Sequence, residues 1–141
     1  IYATGDVASF PLAGRMQRLE SIQNATDQSQ VIAANICAHR HRTDIKVYSP
    51  TPWFWSDQGD LKIQMTGLSA LSTEQKTLST SHGNRMTALH LKSGLLTAVD
   101  TLNMPGNHIA ARKLLAIPVD ITWEMVQDSD EDLKQLYKRL R

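Results

Sequence analysis

The chain has a single cysteine, Cys37, among 141 residues, so no internal disulfide can form. It lies at the end of an apolar helical stripe with no second thiol, and reads as a small buried hydrophobe rather than a redox centre. Neither sign of charge is in excess: 15 Lys and Arg stand against 14 Asp and Glu, a net charge of +1. That balance lacks the basic footprint of a nucleic-acid or membrane-surface binder. No apolar run reaches bilayer-spanning length, so no membrane partner is expected. The Gly-rich turn G-x-G-x-x-G does not occur, and neither do G-x-S-x-G, H-E-x-x-H or a pair of neighbouring carboxylates suited to a dry pocket. No catalytic acid, base or nucleophile is therefore assigned, and no metal ligand set.

Aromatic residues are few but concentrated. Two of the three Trp and one of the two Phe fall in Trp53-Phe54-Trp55, between Pro50 and Pro52 on one side and Gly59 on the other. The prolines fix φ and remove backbone donors, which predicts an extended loop that aims its rings at a target. Two readings are open. The triplet plugs a small core, or it forms a flat wall for a planar ligand whose edge is met by Ser56, Asp57 and Gln58.

The start of the chain, Ile1-Tyr2-Ala3-Thr4-Gly5-Asp6, reads as the tip of a buried strand entering a Gly-Asp turn. Gly5 permits close backbone approach, and the Asp6 carboxylate can accept hydrogen bonds from ligand hydroxyls. Taken in order with Arg18-Leu19-Glu20, Gln23-Asn24-Ala25 and residues 53–58, this start resembles the C-terminal part of the FAD-dependent reductases that feed ferredoxins and rubredoxins in bacterial oxygenase systems. The apoptosis-inducing factors are similar at a greater distance. The resemblance runs through the chain and is densest in residues 1–68 and again at Ala98-Val99-Asp100-Thr101-Leu102-Asn103. The sequence departs from the family where Ile22 stands for a usual Trp and Ser29 for a usual Gly.

A helix is expected over residues 19–37, from apolar or small residues at Ile22, Ala25, Ser29, Ile32, Ala33 and Ile36. Residues 38–49 read as a solvated basic linker, His39-Arg40-His41-Arg42 included. Beyond Gly59 the period becomes two, with strands at residues 61–67, 77–81, 86–91 and 95–102 forming an antiparallel meander, the last two joined by Lys92-Ser93-Gly94. Pro105-Gly106-Asn107 ends the sheet, and Asn107 caps a helix that stops before Pro118. A final helix, capped near Ser129 or Asp130, carries Leu133, Leu136, Tyr137 and Leu140. His82, His90 and His108 have no common acid partner in this scheme.

The expected fold class is thus α+β. Residues 1–49 would be the last strand-helix piece of an FAD-binding domain plus a linker, and residues 50–141 a reductase C-terminal domain. The chain begins without Met at a strand tip, as a C-terminal piece of a longer enzyme would. The resemblance implies a cytoplasmic protein passing electrons from NAD(P)H through FAD to a ferredoxin or rubredoxin. It implies FAD contacts at Gly5, Asp6, Gln23, Asn24, Ala25 and Trp55, with the first helical turn pointing N–H groups at the flavin. Arg15, Arg18, Arg40, Arg42 and Trp53 are the candidates for docking an acidic partner. The alternative is a non-catalytic module for dimerisation or interaction. In either case the stripe from Ile22 to Ile36 needs a cover, and a homo-oligomer is expected to supply it.

Overall fold

Two units, Ile1–Pro52 and Trp53–Arg141, make up the structure, a computed structural model that describes residues 1–78 and 83–141. In the first unit, residues 1–3 are not the expected buried strand. They form no ladder, and Ile1 and Tyr2 are exposed. A strand needs a partner along its edge, and none of the described residues provides one. Gly5, with φ at 74°, opens a single 3₁₀ turn, Gly5–Val7. A small hairpin follows, β1 (Phe10–Leu12) with β2 (Arg15–Gln17), turned by Ala13 and Gly14, both at positive φ.

The long helix α1 spans Ile22–His41, shifted from the expected 19–37. Ser21 sets its start, its Oγ accepting from the Asn24 N–H at 3.1 Å. Arg42, left-handed at φ 54°, sets its end. The basic run expected as a linker is therefore the last helical turn, where His39, Arg40 and His41 meet the negative end of the helix dipole.

The burial of α1 is the reverse of its apolar pattern. Gln23, Asn24, Gln28 and Asn35 are buried, whereas Ile22 and Ile36 are 69% and 53% exposed and Cys37 is exposed rather than buried. The cause is what the buried side packs on. Its neighbours in this unit are irregular segments whose backbone groups need partners. Asn35 shows the solution: its Oδ1 accepts from the Lys46 N–H at 2.7 Å, and its Nδ2 donates to the Lys46 carbonyl at 2.9 Å.

The second unit is a five-stranded antiparallel sheet layered with helices, an α+β fold. Its strands are β3 (Trp53–Gln58), β4 (Leu61–Gly67), β5 (Glu74–Leu78), β6 (Met86–Lys92) and β7 (Leu95–Leu102). Their order, β3-β4-β7-β6-β5, is not that of a plain meander, because β4 pairs with β7. The aromatic triplet is not a loop but the start of edge strand β3. Its preceding prolines lie outside the ladder, where a missing N–H costs nothing. The strand expected over residues 77–81 is found at Glu74–Leu78; Ser79, Thr80, Ser81 and His82 lie outside the described residues. Lys92 pairs with Leu95, leaving Ser93 and Gly94, both at positive φ, as a two-residue turn.

Alternation assigns the sheet's faces. Thr87, Leu89 and Leu91 of β6 and Val99 and Thr101 of β7 are buried on the helix-bearing side, together with Thr66 of β4. On β4 the more deeply buried face is thus the polar one, while Ile63 and Met65 are half-buried on the other. Gly67 is held at φ 79°, and a Cβ there would lie 2.1 Å from the Thr97 carbonyl oxygen, so the β4–β7 contact excludes a side chain.

Helix α2 (Pro105–Leu114) begins with the residues expected to precede it. Pro105 takes the first helical position, and Asn107 lies inside the helix, its Nδ2 donating to Thr87 Oγ1 at 3.0 Å. Three helices follow the sheet among the described residues, not two: the short α3 (Trp123–Gln127), capped by Thr122, lies before α4 (Leu133–Leu140). Asp132, not Ser129 or Asp130, caps α4. Leu89, Leu91 and Val99 from the sheet meet Ala111, Leu114, Val126, Leu133 and Leu136 from the helices in one apolar core. No described helix is long and apolar enough to cross a membrane.

Candidate functional site

In the first unit the structure brings Gly5 to α1. The Gly5 N–H donates to Gln28 Oε1 at 2.9 Å, and the space a Gly5 side chain would fill is bounded by Ala25 Cβ at 3.6 Å. Gln28 thereby fixes the turn that carries Asp6. The Asp6 carboxylate is exposed and makes no hydrogen bond or ion pair among the described residues. Gln23 and Asn24 have structural partners. Gln23 donates to Asp27, while Asn24, fully buried, donates to the Leu19 carbonyl at 2.8 Å and accepts from the Tyr48 hydroxyl at 3.1 Å. Burial, and secondarily the nearby Asp27 charge, push the Tyr48 hydroxyl up to about 12.

Tested against the FAD that the resemblance implies, this unit offers the Asp6 carboxylate as an acceptor open to ligand hydroxyls. The N–H groups of Asn24 and Ala25 are already used, by Ser21 Oγ and the Ser21 carbonyl. An anion or a polarised edge at this end of α1 would meet the positive end of the helix dipole.

The four arginines do not form one patch. Arg15 lies on β2, and Arg18, just before α1, is ion-paired with Glu20 at 2.8 Å. Arg40 and Arg42 belong to the far end of a 20-residue helix, about 30 Å away at the usual helical rise. All four are exposed.

In the second unit the edge strand builds an aromatic platform. Trp53 and Trp55, two residues apart on β3, project to the same face and stack with ring centroids 5.6 Å apart and planes 24° from parallel. Cross-strand partners Thr66 and Gln64 lie beneath them. Helix α2 supplies the rest. The Arg112 guanidinium sits 3.9 Å from the Trp53 ring centroid, and the His108 ring is 6.0 Å from Trp53, tilted by 58°. Trp53 is half-buried by these contacts, and Trp55 is 41% exposed. Trp53 thus packs against α2, whereas Trp55 stays exposed beside it. Phe54 alternates to the opposite side of the sheet.

Sequence reasoning missed His108 and Arg112. They stand one helical turn apart, an i and i+4 pair on one face of α2, and only that spacing could have joined them to a strand fifty residues earlier. His108 is 2% exposed, and neither ring nitrogen has a hydrogen-bond partner among the described residues. Burial, with Arg112 adding repulsion, holds its pKa below the ordinary histidine value. His90 has an acid partner of its own, one it does not share with His108: Asp100 Oδ2 lies 2.8 Å from its Nε2, across β6 and β7. No group of three or more metal-ligating side chains occurs among the described residues.

Residues 53–137 match the family described as reductase C-terminal. Rhodocoxin reductase of Rhodococcus erythropolis is 36% identical over 95% of this chain and 31% of its own length. Among solved structures, a ferredoxin reductase from Rhodopseudomonas palustris is 36% identical with a TM-score of 0.79, over 94% of this chain and 32% of that one. The covalent putidaredoxin reductase–putidaredoxin complex gives 26% identity and a TM-score of 0.82, over 96% and 32%. The chain spans about a third of the length of the relatives it matches.

Proposed function

Because this chain belongs to the reductase C-terminal family, we propose that it is part of an FAD-dependent NAD(P)H reductase that delivers electrons to a ferredoxin or rubredoxin. In this reading residues 1–49 complete the FAD-binding domain and residues 50–141 form the reductase C-terminal domain. FAD, when bound, supplies the hydride-accepting and one-electron chemistry. The residues of this chain bind, orient and shield.

Asp6 accepts hydrogen bonds from ribityl hydroxyls, and Gln28 keeps its turn in place through the Gly5 N–H. Asn24 and Tyr48 tie down the start of α1, so that the turn at Gln23, Asn24 and Ala25 faces the ligand in one orientation. Trp55 limits water at the flavin and offers its ring to the redox partner. Arg112 and His108 position it through Trp53. The exposed arginines, Arg15 and Arg18 at one end of α1 and Arg40 and Arg42 at the other, steer an acidic partner.

The observation that carries this reading is the stacked Trp53–Trp55 pair, clamped from α2 and exposed at Trp55. An exposed ring held on a rigid edge strand suits a transient electron-transfer contact better than it suits a core. Trp55→Ala in the reductase that contains this chain tests it. Stopped-flow traces should show the flavin spectrum altered and electron delivery to the ferredoxin slowed about tenfold, near 1.4 kcal/mol of barrier. Hydride uptake from NADH should change far less. Unchanged delivery would return Trp55 to plain packing.

A further inference from the structure

Helices α2 and α4 border an open groove of about 390 Å³ on the second unit, within the range of small-molecule sites. Its lining is lopsided in charge. Lys113, Lys134, Lys138 and Arg141 surround it, and none of its lining residues is acidic. Ile109, 52% exposed, and Tyr137 add an apolar wall. The Asp132 carboxylate caps α4, its Oδ1 accepting from the N–H groups of Lys134 and Gln135 at 2.8 and 3.2 Å, and its charge acts on Lys134 alone among the four cations. Among the described residues Lys113 meets the face of the Tyr137 ring, 5.4 Å from its centroid.

Four cations around one concavity repel each other, and the packing brings one of them, Lys134, up to Gly106. A Cβ at Gly106 would lie 2.7 Å from both Cε and Nζ of Lys134, so the bare glycine admits the ammonium to the first turn of α2. No side chain caps that turn, and a cation at the positive end of a helix is unfavourable unless an anion joins it. A phosphoryl group answers each of these features: it accepts from ammonium and guanidinium donors and is favoured beside the helix end. The apolar wall fits an aromatic or aliphatic body behind it.

We propose that the α2–α4 groove binds a small phosphate monoester with an apolar body, phosphate toward Lys134, Lys138 and Arg141 and body against Ile109 and Tyr137. This site is independent of the Trp platform and of the electron-transfer reading.

Amide-resolved NMR titrations of the purified chain test it, with phenyl phosphate, inorganic phosphate and phenol as separate probes. Phenyl phosphate should give saturable shifts at Gly106, Lys134 and Lys138. Inorganic phosphate should act on the same amides about tenfold more weakly, and phenol should not saturate. Lys134→Gln and Lys138→Gln should each weaken phenyl phosphate about tenfold, the loss of a charge-assisted hydrogen bond, with thermal melting unchanged. No saturation by phenyl phosphate, equal binding by either variant and the wild type, or phenol binding as tightly as phenyl phosphate would each overturn the proposal. Equal affinity for inorganic and phenyl phosphate would overturn the apolar half of the site.

Discussion

The guanidinium of Arg112 lies 3.9 Å from the centroid of the Trp53 ring, and through it helix α2 holds the first strand of the sheet. A guanidinium over an indole is worth about 0.5–2 kcal/mol, more when water is excluded. Arg112→Ala should lower the stability of the chain by about that amount in urea unfolding. It should also weaken the near-ultraviolet signal of the Trp53–Trp55 stack. A stable variant with an unchanged aromatic spectrum would show that the strand holds its rings without help.

The buried amides of α1 lead to a second expectation. Asn24 accepts from the Tyr48 hydroxyl while its own Nδ2 serves the Leu19 carbonyl. Asn24→Ala leaves a half-buried hydroxyl and a carbonyl without this partner, at a cost of about 1–3 kcal/mol for each group that water cannot reach. Spectrophotometric titration of the wild type should show one tyrosine ionising near 12. That pKa is raised on folding, so its contribution to stability is complete below about 10, the ordinary tyrosine value, and is lost as pH rises through about 12. In Asn24→Ala the high-pH step should move, because the partner that orders the hydroxyl has gone.

The fold class, the strand at residues 61–67, the 86–102 hairpin and the two longer helices of the second unit were legible because their signals are local, period and turn glycines, although the expected helix caps fell on other residues. The pairing of β4 with β7 was not, since no local pattern encodes which strands meet. Nor was the polar burial of α1. Periodicity assumes that an apolar stripe faces inward, and here Gln28, Asn24 and Asn35 face inward because irregular backbone must be satisfied. At the aromatic site, Trp53 and Trp55 stood out in the sequence, whereas their clamp, His108 and Arg112, reached them only through tertiary packing.

His108 gives a pH signature. Its folded pKa is depressed by burial and by Arg112, so the unfolded chain takes up a proton that the folded chain resists. Stability from this group is complete above its unfolded value of about 6.5 and falls as pH drops through that value toward the folded one. The difference in unfolding free energy between wild type and His108→Leu should therefore shift in favour of the variant between about pH 7 and pH 5. A difference that stays constant with pH would mean that the ring is solvated well enough to titrate normally.

The last expectation concerns the exposed side chains of the first unit. Ile22 and Ile36 on α1 are joined among its exposed hydrophobics by Val7, Met16, Ile45 and Val47, at 80%, 62%, 56% and 85% exposure. Fully burying an aliphatic side chain is worth about 1.5–3 kcal/mol, so covering even three of these would contribute several kcal/mol to association. In the chain by itself, a second copy is the cover at hand, and a two-fold pairing would bury the same stripe on both partners. Light scattering at micromolar concentration should give a dimer or larger species. Ile22→Lys with Ile36→Lys should return it to monomer, since each change would place a charge in that interface while leaving the buried amides of α1 untouched. A wild-type chain that is monodisperse and monomeric would show that these side chains stay in water, and that the stripe on α1 is not an interface between copies of the chain.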